Sequence, residues 1–237
     1  MTSSDPGRPT HRRPGGALAR RPLHFIWLLD ASGSMRVDAK IQALNVAIRE
    51  TIPHLAAAAA DSPGTEVLMR ALAFASGARW HVERPTPVGE LRWSDLSAGG
   101  HTDMGRALGM VADELKSPPM PDRAVSPVLV LVGDGHYTDD FDAGLRRLLA
   151  EPWGREARRL AIAIGRDVSK RALKAFIGDE TLDPLPANNP EALARQIQWA
   201  SLSGVQQASQ LLDEDSTRRI YLAQVRSSVE AEVADEW

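Results

Sequence analysis

The chain has 237 residues, of which 43% are apolar and 25% are charged, and its formal net charge is −3. These values are typical of a soluble globular domain and give no global reason to expect binding to nucleic acid or to an anionic membrane. The sequence contains no cysteine, which excludes disulfides, thiolate metal sites and cysteine nucleophiles and is compatible with a reducing compartment.

The two ends of the sequence carry opposite charge. Residues 1–21 are rich in Pro, Gly, Ser, Thr and Arg, with five arginines against one aspartate, and they predict a disordered basic arm. Residues 207–237 are expected to form an acidic tail that is solvated, with a short helix around residues 220–225 as the alternative. The apolar run at residues 23–29 is too short for a membrane span and too close to the motif described below for a cleaved signal. We therefore expect a cytoplasmic protein.

Between these ends, strands are predicted to alternate with helices. Continuous apolar runs predict buried strands, and apolar residues at helical spacing predict amphipathic helices. The predicted strands are 24–29, 66–75, 79–83, 128–132 and 159–164. The predicted helices are 38–60, which Pro53 is expected to kink or split, 104–115, 139–149, 169–177 and 190–203.

The order of these elements predicts the fold class. The strands 66–75 and 79–83 are separated by a short turn, so they predict a hairpin at a sheet edge, where Pro85 and Pro87 are tolerated. The other strands are separated by helices, which predicts βαβ units and parallel pairing. We expect one α/β domain over residues 22–206, with a mostly parallel sheet, one short antiparallel edge strand and helices on both faces.

Three polar segments occupy equivalent places in this pattern. Asp30-Ala-Ser-Gly-Ser34 follows the first strand, Gly99-Gly-His-Thr102 precedes a helix, and Gly133-Asp134 follows the strand 128–132. In such sheets ligands bind at the carboxyl ends of strands, where the winding direction reverses. The three segments are therefore expected to meet at one edge of the sheet.

These segments offer only oxygen donors. The candidate ligands are Asp30, Ser32, Ser34, Thr102 and Asp134. Alternate residues of an extended turn point the same way, so the first three can face one point. Hydroxyl and carboxylate oxygens suit Mg²⁺, which usually takes one or two carboxylates and keeps several waters. Two aspartates roughly neutralise a divalent ion, which can then accept an anionic oxygen from a partner.

Each candidate also has a purely structural interpretation. Asp30 and its serines can cap a following helix, and Thr102 can be the N-cap of its own helix. Asp103 is expected to be a first-turn acid favoured by the helix dipole, with a supporting position beside the ligands, or a ligand role, as the alternative. His101 and His136 are expected to flank the cation without binding it. Residues 138–140 are expected to start the next helix.

Taken together, the three segments resemble the metal-ion-dependent adhesion site of von Willebrand factor A domains. The resemblance rests on D-x-S-x-S after the first strand, a Gly-Gly-x-Thr loop and an Asp-Gly after a central strand. It implies a Rossmann-like sheet that binds Mg²⁺ or Mn²⁺ through the five candidate ligands. Gly133 departs from the pattern, because many relatives carry Thr there, and a supporting hydrogen bond is therefore in doubt.

Two further segments resemble TerY-like proteins of bacterial tellurium-resistance and stress gene clusters. They are Leu131-Val-Gly-Asp-Gly-His-Tyr-Thr-Asp-Asp140 and Gln198-Trp-Ala-Ser-Leu-Ser203. This resemblance implies a role in a bacterial stress response, with protein kinase-like or phosphatase partners. We expect the chain on its own to be a monomer.

The sequence leaves two functions to weigh. The first is a protein-interaction module that captures a partner's acidic side chain through the bound cation. The second is a Mg²⁺-dependent phosphohydrolase with Asp30 as nucleophile. Such enzymes usually place a second aspartate two residues later as general acid, and here that residue is Ser32, a poor proton donor near neutral pH. The sequence also lacks the Walker A and G-x-S-x-G motifs, so we expect a non-enzyme.

Overall fold

The computed structural model describes residues 20–62, 64–210 and 214–234 of the chain. The predicted basic arm therefore lies outside the described residues, apart from Arg20 and Arg21. Arg21 is already the first residue of the first strand.

Six strands form one sheet, in the order β3-β2-β1-β4-β5-β6. Every neighbouring pair is parallel except β2 and β3, which are antiparallel. The strands are β1 Arg21–Asp30, β2 Thr65–Ala75, β3 Gly77–Pro87, β4 Val125–Gly133, β5 Arg158–Ile164 and β6 Leu185–Ala187. The predicted fold class is confirmed, although the antiparallel edge strand β3 is twice as long as the predicted segment 79–83.

Seven helices cover the two faces of this sheet in the described residues. They are α1 Lys40–Ala60, α2 Met104–Glu114, α3 Phe141–Ala150, α4 Pro152–Glu156, α5 Lys170–Ile177, α6 Pro190–Gln210 and α7 Glu214–Ala234. α1 packs against α6, and α2 packs against α3. Pro53 lies inside α1 without splitting it. None of the described helices combines the length and the hydropathy that a membrane-spanning segment needs.

The central strand β1 lies in the middle of the hydrophobic core. Its residues from Phe25 to Leu29 are fully or almost fully buried, as is typical of a parallel strand covered on both faces. Trp27 is fully buried and donates from its indole nitrogen to the Ser201 hydroxyl at 3.3 Å. Trp93, which the sequence places in a loop, packs edge-on against Trp27 and donates to the Asn45 side chain at 3.1 Å.

The expected solvated tail after residue 206 is wrong for the described part of the chain. α6 continues to Gln210, and α7 occupies Glu214–Ala234. Tyr221, Val225 and Ser228 lie at helical spacing, and Tyr221 is only 3% exposed. Tyr221 contacts Trp199 edge-on, and Ser228 accepts a hydrogen bond from the Gln196 amide at 2.6 Å. The apolar stripe of α7 therefore docks on the domain although the segment is acidic overall.

The strand order positions the site. The chain passes from β1 to β2 on one side of β1, and β4 then pairs with the other side of β1. The direction of winding reverses between β1 and β4, which is where ligands bind in open α/β sheets. Asp30 is the last residue of β1, and Asp134 directly follows β4.

Candidate metal centre

The Asp30 carboxylate is buried with one oxygen unpartnered. The side chain is fully buried, and its Oδ1 accepts a hydrogen bond from the Ser32 backbone N–H at 2.7 Å. Its Oδ2 has no hydrogen-bond partner among the described residues. Burial, helped by the charge of Asp134, raises the pKa of Asp30 to about 6, against the opposing effects of hydrogen bonds from Ser32 and of the Lys40 charge. A buried carboxylate in this state is costly unless a cation or donor satisfies it.

The two serines of the motif face each other. The Ser32 and Ser34 hydroxyl oxygens are 3.0 Å apart. Ser32 precedes a 3₁₀ helix at Gly33–Ala39, and its side chain makes no capping hydrogen bond. The Ser32 hydroxyl therefore does not serve as a helix cap, which was the structural alternative for this residue.

The loop that carries Thr102 is attached directly to the β1 motif. Gly33 N–H donates to the Gly100 carbonyl at 3.0 Å, and Gly99 N–H donates to the Ala31 carbonyl at 2.8 Å. Thr102 is buried, its N–H donates to the Thr138 hydroxyl at 2.9 Å, and its carbonyl accepts from Thr138 N–H at 2.9 Å. Thr138, which sequence reasoning treated as a helix start, thus holds Thr102 in place.

Asp134 is held by the loop that follows β4. It is buried, its Oδ1 accepts from His136 N–H at 3.0 Å, and its carbonyl accepts from Ser169 N–H at 2.9 Å. Its charge acts on Asp30, so the two carboxylates are close enough to repel each other.

Gly133 lies directly against the Asp30 carboxylate. A Cβ added at Gly133 would lie 2.9 Å from the Asp30 Cβ and 3.0 Å from its Oδ2. Glycine offers no hydroxyl to Asp30 at this position, and a larger residue would require the Asp30 side chain to shift. The supporting hydrogen bond that the sequence placed in doubt is therefore absent at Gly133, and Asp30 Oδ2 beside it has no partner among the described residues.

One open cavity of 820 Å³ joins most of the predicted ligands, and we call it the metal cavity. Ser32, Ser34, Thr102 and Asp134 line it, while Asp30 is fully buried and linked to it through Ser32. His101 and His136 also line it and are exposed. The structure thus brings the predicted residues together, and their binding of a cation stays a prediction.

Asp103 supports the Thr102 loop from outside the ligand set, which was the alternative role predicted for it. Its Oδ2 accepts from Gly77 N–H at 2.6 Å, and its Oδ1 accepts from the Thr138 hydroxyl at 3.3 Å. Asp103, not Thr102, is the N-cap residue of α2, and its side chain makes no capping bond. The expected role of Asp103 as a simple first-turn acid is wrong, because its carboxylate ties the β2–β3 turn to the Thr138 loop.

The start of α2 is capped from a distant segment. Asp139 accepts from Gly105 N–H at 2.9 Å and from Arg106 N–H at 2.8 Å, whereas Asp140 caps its own helix α3 by accepting from Ala143 N–H at 2.8 Å. Aspartates satisfy free N–H groups at helix starts well. Asp139 therefore joins the loop after β4 to the helix after the Thr102 loop.

Lys40 is a residue of the site that sequence reasoning missed. It is the first residue of α1, lines the metal cavity, and its charge acts on Asp30. Its Nζ would lie 2.8 Å from a Cβ on Gly165, so the ammonium crosses from α1 to the end of β5. No motif in the sequence marks this residue.

The donor set fits a hard divalent cation. The described residues contain no cluster of three or more His, Cys, Asp or Glu side chains, so any cation here would rely on two carboxylates and hydroxyls. Mg²⁺ prefers oxygen ligands and commonly binds through one or two carboxylates with waters. The unpartnered, buried Asp30 Oδ2 is the observation that a cation, directly or through water, would explain.

Solved structures share this fold at low sequence identity. A von Willebrand factor type A protein from Catenulispora acidiphila matches with a TM-score of 0.57 and 19% identity, over 78% of this chain and 43% of that one. Proximal thread matrix protein 1 from the mussel byssus, with a zinc-occupied MIDAS motif, matches at 0.55 and 16%, over 77% and 48%. Manganese-loaded TRAP protein from Plasmodium vivax matches at 0.53 and 20%, over 73% and 71%.

These matches establish the architecture. The chain spans less than half the length of the first two proteins. Neither a protein-family model nor a curated protein sequence matches it. From the strand order, the covering helices and these neighbours, the chain has the fold of a von Willebrand factor A domain.

Proposed function

We propose that this chain is a divalent-cation-dependent interaction module that captures an acidic side chain of a partner protein. The carrying observation is the fully buried Asp30 with an unpartnered oxygen, beside buried Asp134 and the hydroxyls of an open cavity. Two carboxylates leave a bound divalent ion able to accept one more anionic oxygen. A partner's Asp or Glu supplies that oxygen.

Mg²⁺ is the proposed cation, with Mn²⁺ as the alternative. The predicted ligands are all oxygen atoms, which both ions accept and which Mg²⁺ prefers. The zinc in the mussel protein and the manganese in the Plasmodium protein support a divalent ion in this fold.

The alternative function, a phosphohydrolase with Asp30 as nucleophile, has less support. Asp30 is fully buried and does not line the metal cavity, whereas Ser32 and Ser34 do, so the proposed nucleophile is not the group exposed to a substrate there. The residue two positions after Asp30 is Ser32, which is a weak general acid. The proposal is therefore a binding protein and not an enzyme.

The proposed cellular role rests on two short segments of the sequence. The similarity of residues 131–140 and 198–203 to TerY-like proteins supports a bacterial stress or tellurium-resistance system, with kinase-like or phosphatase partners. A cytoplasmic location and a monomeric chain belong to the same proposal, and the absence of cysteine is compatible with that location.

The first test is cation binding by the purified chain. Mg²⁺ is expected to raise the thermal midpoint relative to chelator, because a ligand that binds only the native state stabilises it. Ser32→Ala is expected to abolish this shift with little effect in chelator, while the exposed control Ser227→Ala retains it. An equal shift in Ser32→Ala would contradict the proposed site.

The second test is cation-dependent capture. Immobilised wild-type chain is incubated with lysate in Mg²⁺ and in chelator, beside Asp30→Ala and Ser32→Ala. Proteins retained only by wild type in Mg²⁺ support the proposal, and identical lists in both conditions count against it. Release of phosphate from an aryl phosphate that is lost in Asp30→Asn would favour the enzyme instead.

A further inference from the structure

A second open cavity of 740 Å³ adjoins the metal cavity, and we call it the arginine groove. Its floor and walls are small residues from the ends of β1 and β2, the β2–β3 turn and the loop before α2. They include Ala31, Ala75, Ser76, Ser97 and Gly99. Gly100 lines both cavities and forms the boundary between them.

Gly100 packs against the Ser76 side chain at this boundary. Its φ of +83° is a conformation that suits glycine, and a Cβ there would lie 2.4 Å from the Ser76 hydroxyl. The two cavities are therefore separated by little more than Gly100 and the Ser76 side chain that packs on it. Since residues of an extended chain are about 3.3 Å apart, a few residues suffice to enter both.

Two arginines line the arginine groove, and a third lies against Gly99 in its wall. Arg79 and Arg106 line it and are exposed. Arg36 lies against Gly99, where a Cβ would be 2.6 Å from its Nη2, and its Nε donates to the Ala98 carbonyl at 2.8 Å. None of the three forms an ion pair within the described part of the chain.

The charge of these arginines is not balanced inside the groove. The acid that lines it is Asp103, and both of its oxygens already accept hydrogen bonds from Gly77 and Thr138. The metal cavity, by contrast, is lined by three acids, Asp38, Asp134 and Asp167, and by only two permanent cations, Lys40 and Arg166. On a chain with a net charge of −3, the groove is a local cationic surface beside the site.

We infer that the partner presents a polyacidic segment, in which acids that flank the cation-bound carboxylate lie in the arginine groove. This inference rests on the proposed function, since it names the kind of partner for that site. Unpaired guanidinium groups bind carboxylates well, and exposed complementary charges mainly set specificity and association rate. A single isolated acid would use the cation alone and leave the groove empty.

The test compares two labelled peptides of equal length by fluorescence anisotropy in excess Mg²⁺. One has a single central Asp in a Gly/Ser chain, and the other carries three additional Asp on each side. The polyacidic peptide is expected to bind roughly tenfold more tightly at low salt, and high salt is expected to reduce this advantage because screening weakens exposed pairs.

Arginine-to-glutamine substitutions test whether the groove causes the tighter binding of the polyacidic peptide. Arg79→Gln/Arg106→Gln is expected to remove most of it while binding of the single-acid peptide stays unchanged. The matched control Arg84→Gln/Arg146→Gln removes the same charge from exposed positions outside both cavities and is expected to keep the advantage. An advantage that survives fully in Arg79→Gln/Arg106→Gln, or is lost equally in the control, overturns the inference.

Measuring the binding of both peptides in chelator as well as in Mg²⁺ distinguishes a failure of this inference from a failure of the proposed function. If the polyacidic peptide binds equally in chelator and still loses affinity in Arg79→Gln/Arg106→Gln, the cation-dependent function fails and the groove inference stands. If both peptides need Mg²⁺ and bind equally well, the proposed function stands and the groove inference fails. No binding of either peptide counts against both.

Discussion

The metal cavity and the arginine groove lie on opposite sides of Gly100. They differ in the sign of their charged groups and in how far those groups are exposed to water. The metal cavity is lined by the buried Asp134 and is linked through Ser32 to the buried Asp30, one oxygen of which has no partner among the described residues. The arginine groove contains exposed guanidinium groups that remain hydrated. Buried charge is costly without a partner, whereas exposed charge costs little. In chelator, the free energy of unfolding should therefore respond to substitutions around the metal cavity and not to substitutions in the arginine groove.

The largest expected effect is that of Asp30→Asn in chelator. At pH 7 the ionised Asp30 costs the native state about 3 kcal/mol, from the difference between 3.8 and about 6. Removing the charge is expected to raise the free energy of unfolding by up to about this amount, measured by urea denaturation, while Mg²⁺ no longer stabilises the variant. Asp122→Asn, at an exposed position, is the control and should change little. A less stable Asp30→Asn would contradict the comparison.

Gly133→Ala is expected to lower the free energy of unfolding by about 2 kcal/mol. The added Cβ would lie 2.9 Å from the Asp30 Cβ, which cannot move without shifting the end of β1. Gly89→Ala is the matched control, because no atom lies within 4 Å of its added Cβ. Equal urea midpoints for the two variants would show that β1 and β4 are not so close at this point.

The affinity for Mg²⁺ is expected to depend on pH through Asp30. Its folded-state pKa of about 6 means that a proton competes with the cation below this pH. Affinity should be about tenfold weaker at pH 5 than at pH 7, as measured by calorimetry. In chelator the sign is opposite: the native state binds the proton more tightly, so stability falls as pH rises from about 4 to 6. A pH-independent affinity would exclude Asp30 from the cation site.

The smallest expected effect is that of Arg79→Gln/Arg106→Gln on stability. Both arginines are exposed and form no ion pair in the described residues, so the free energy of unfolding should change by less than about 0.5 kcal/mol. The Mg²⁺-induced shift of the thermal midpoint should also be retained. A substantial loss of stability would mean that the groove is part of the scaffold, and the contrast between the two regions would disappear.

Local patterns were sufficient to predict the strands that carry the site. The apolar run before Asp30 and the one before Asp134 predicted buried strands, and β1 and β4 are neighbours at the place where winding reverses. The Gly-Gly-x-Thr loop was correctly placed at the same edge. These predictions succeed because burial on both faces leaves a continuous apolar run, and parallel crossovers put strand ends on one side.

Contacts between distant segments were not predictable in the same way. Thr138 binding Thr102, Asp139 capping α2 and Lys40 reaching Gly165 join residues that no local pattern relates. The short strand β6 and the docking of α7 were also missed. Both depend on surfaces that exist only after the rest of the sheet has formed.

The sequence by itself determined the α/β order, the edge hairpin and the set of oxygen-bearing residues at strand ends, because these follow from residue type and periodicity. Only the tertiary structure decided that Asp30 is buried with an unpartnered oxygen beside Gly133, and that Arg79 and Arg106, from separate segments, line a groove next to the site. Desolvation and proximity depend on what packs around a side chain, and a linear sequence does not contain that packing explicitly.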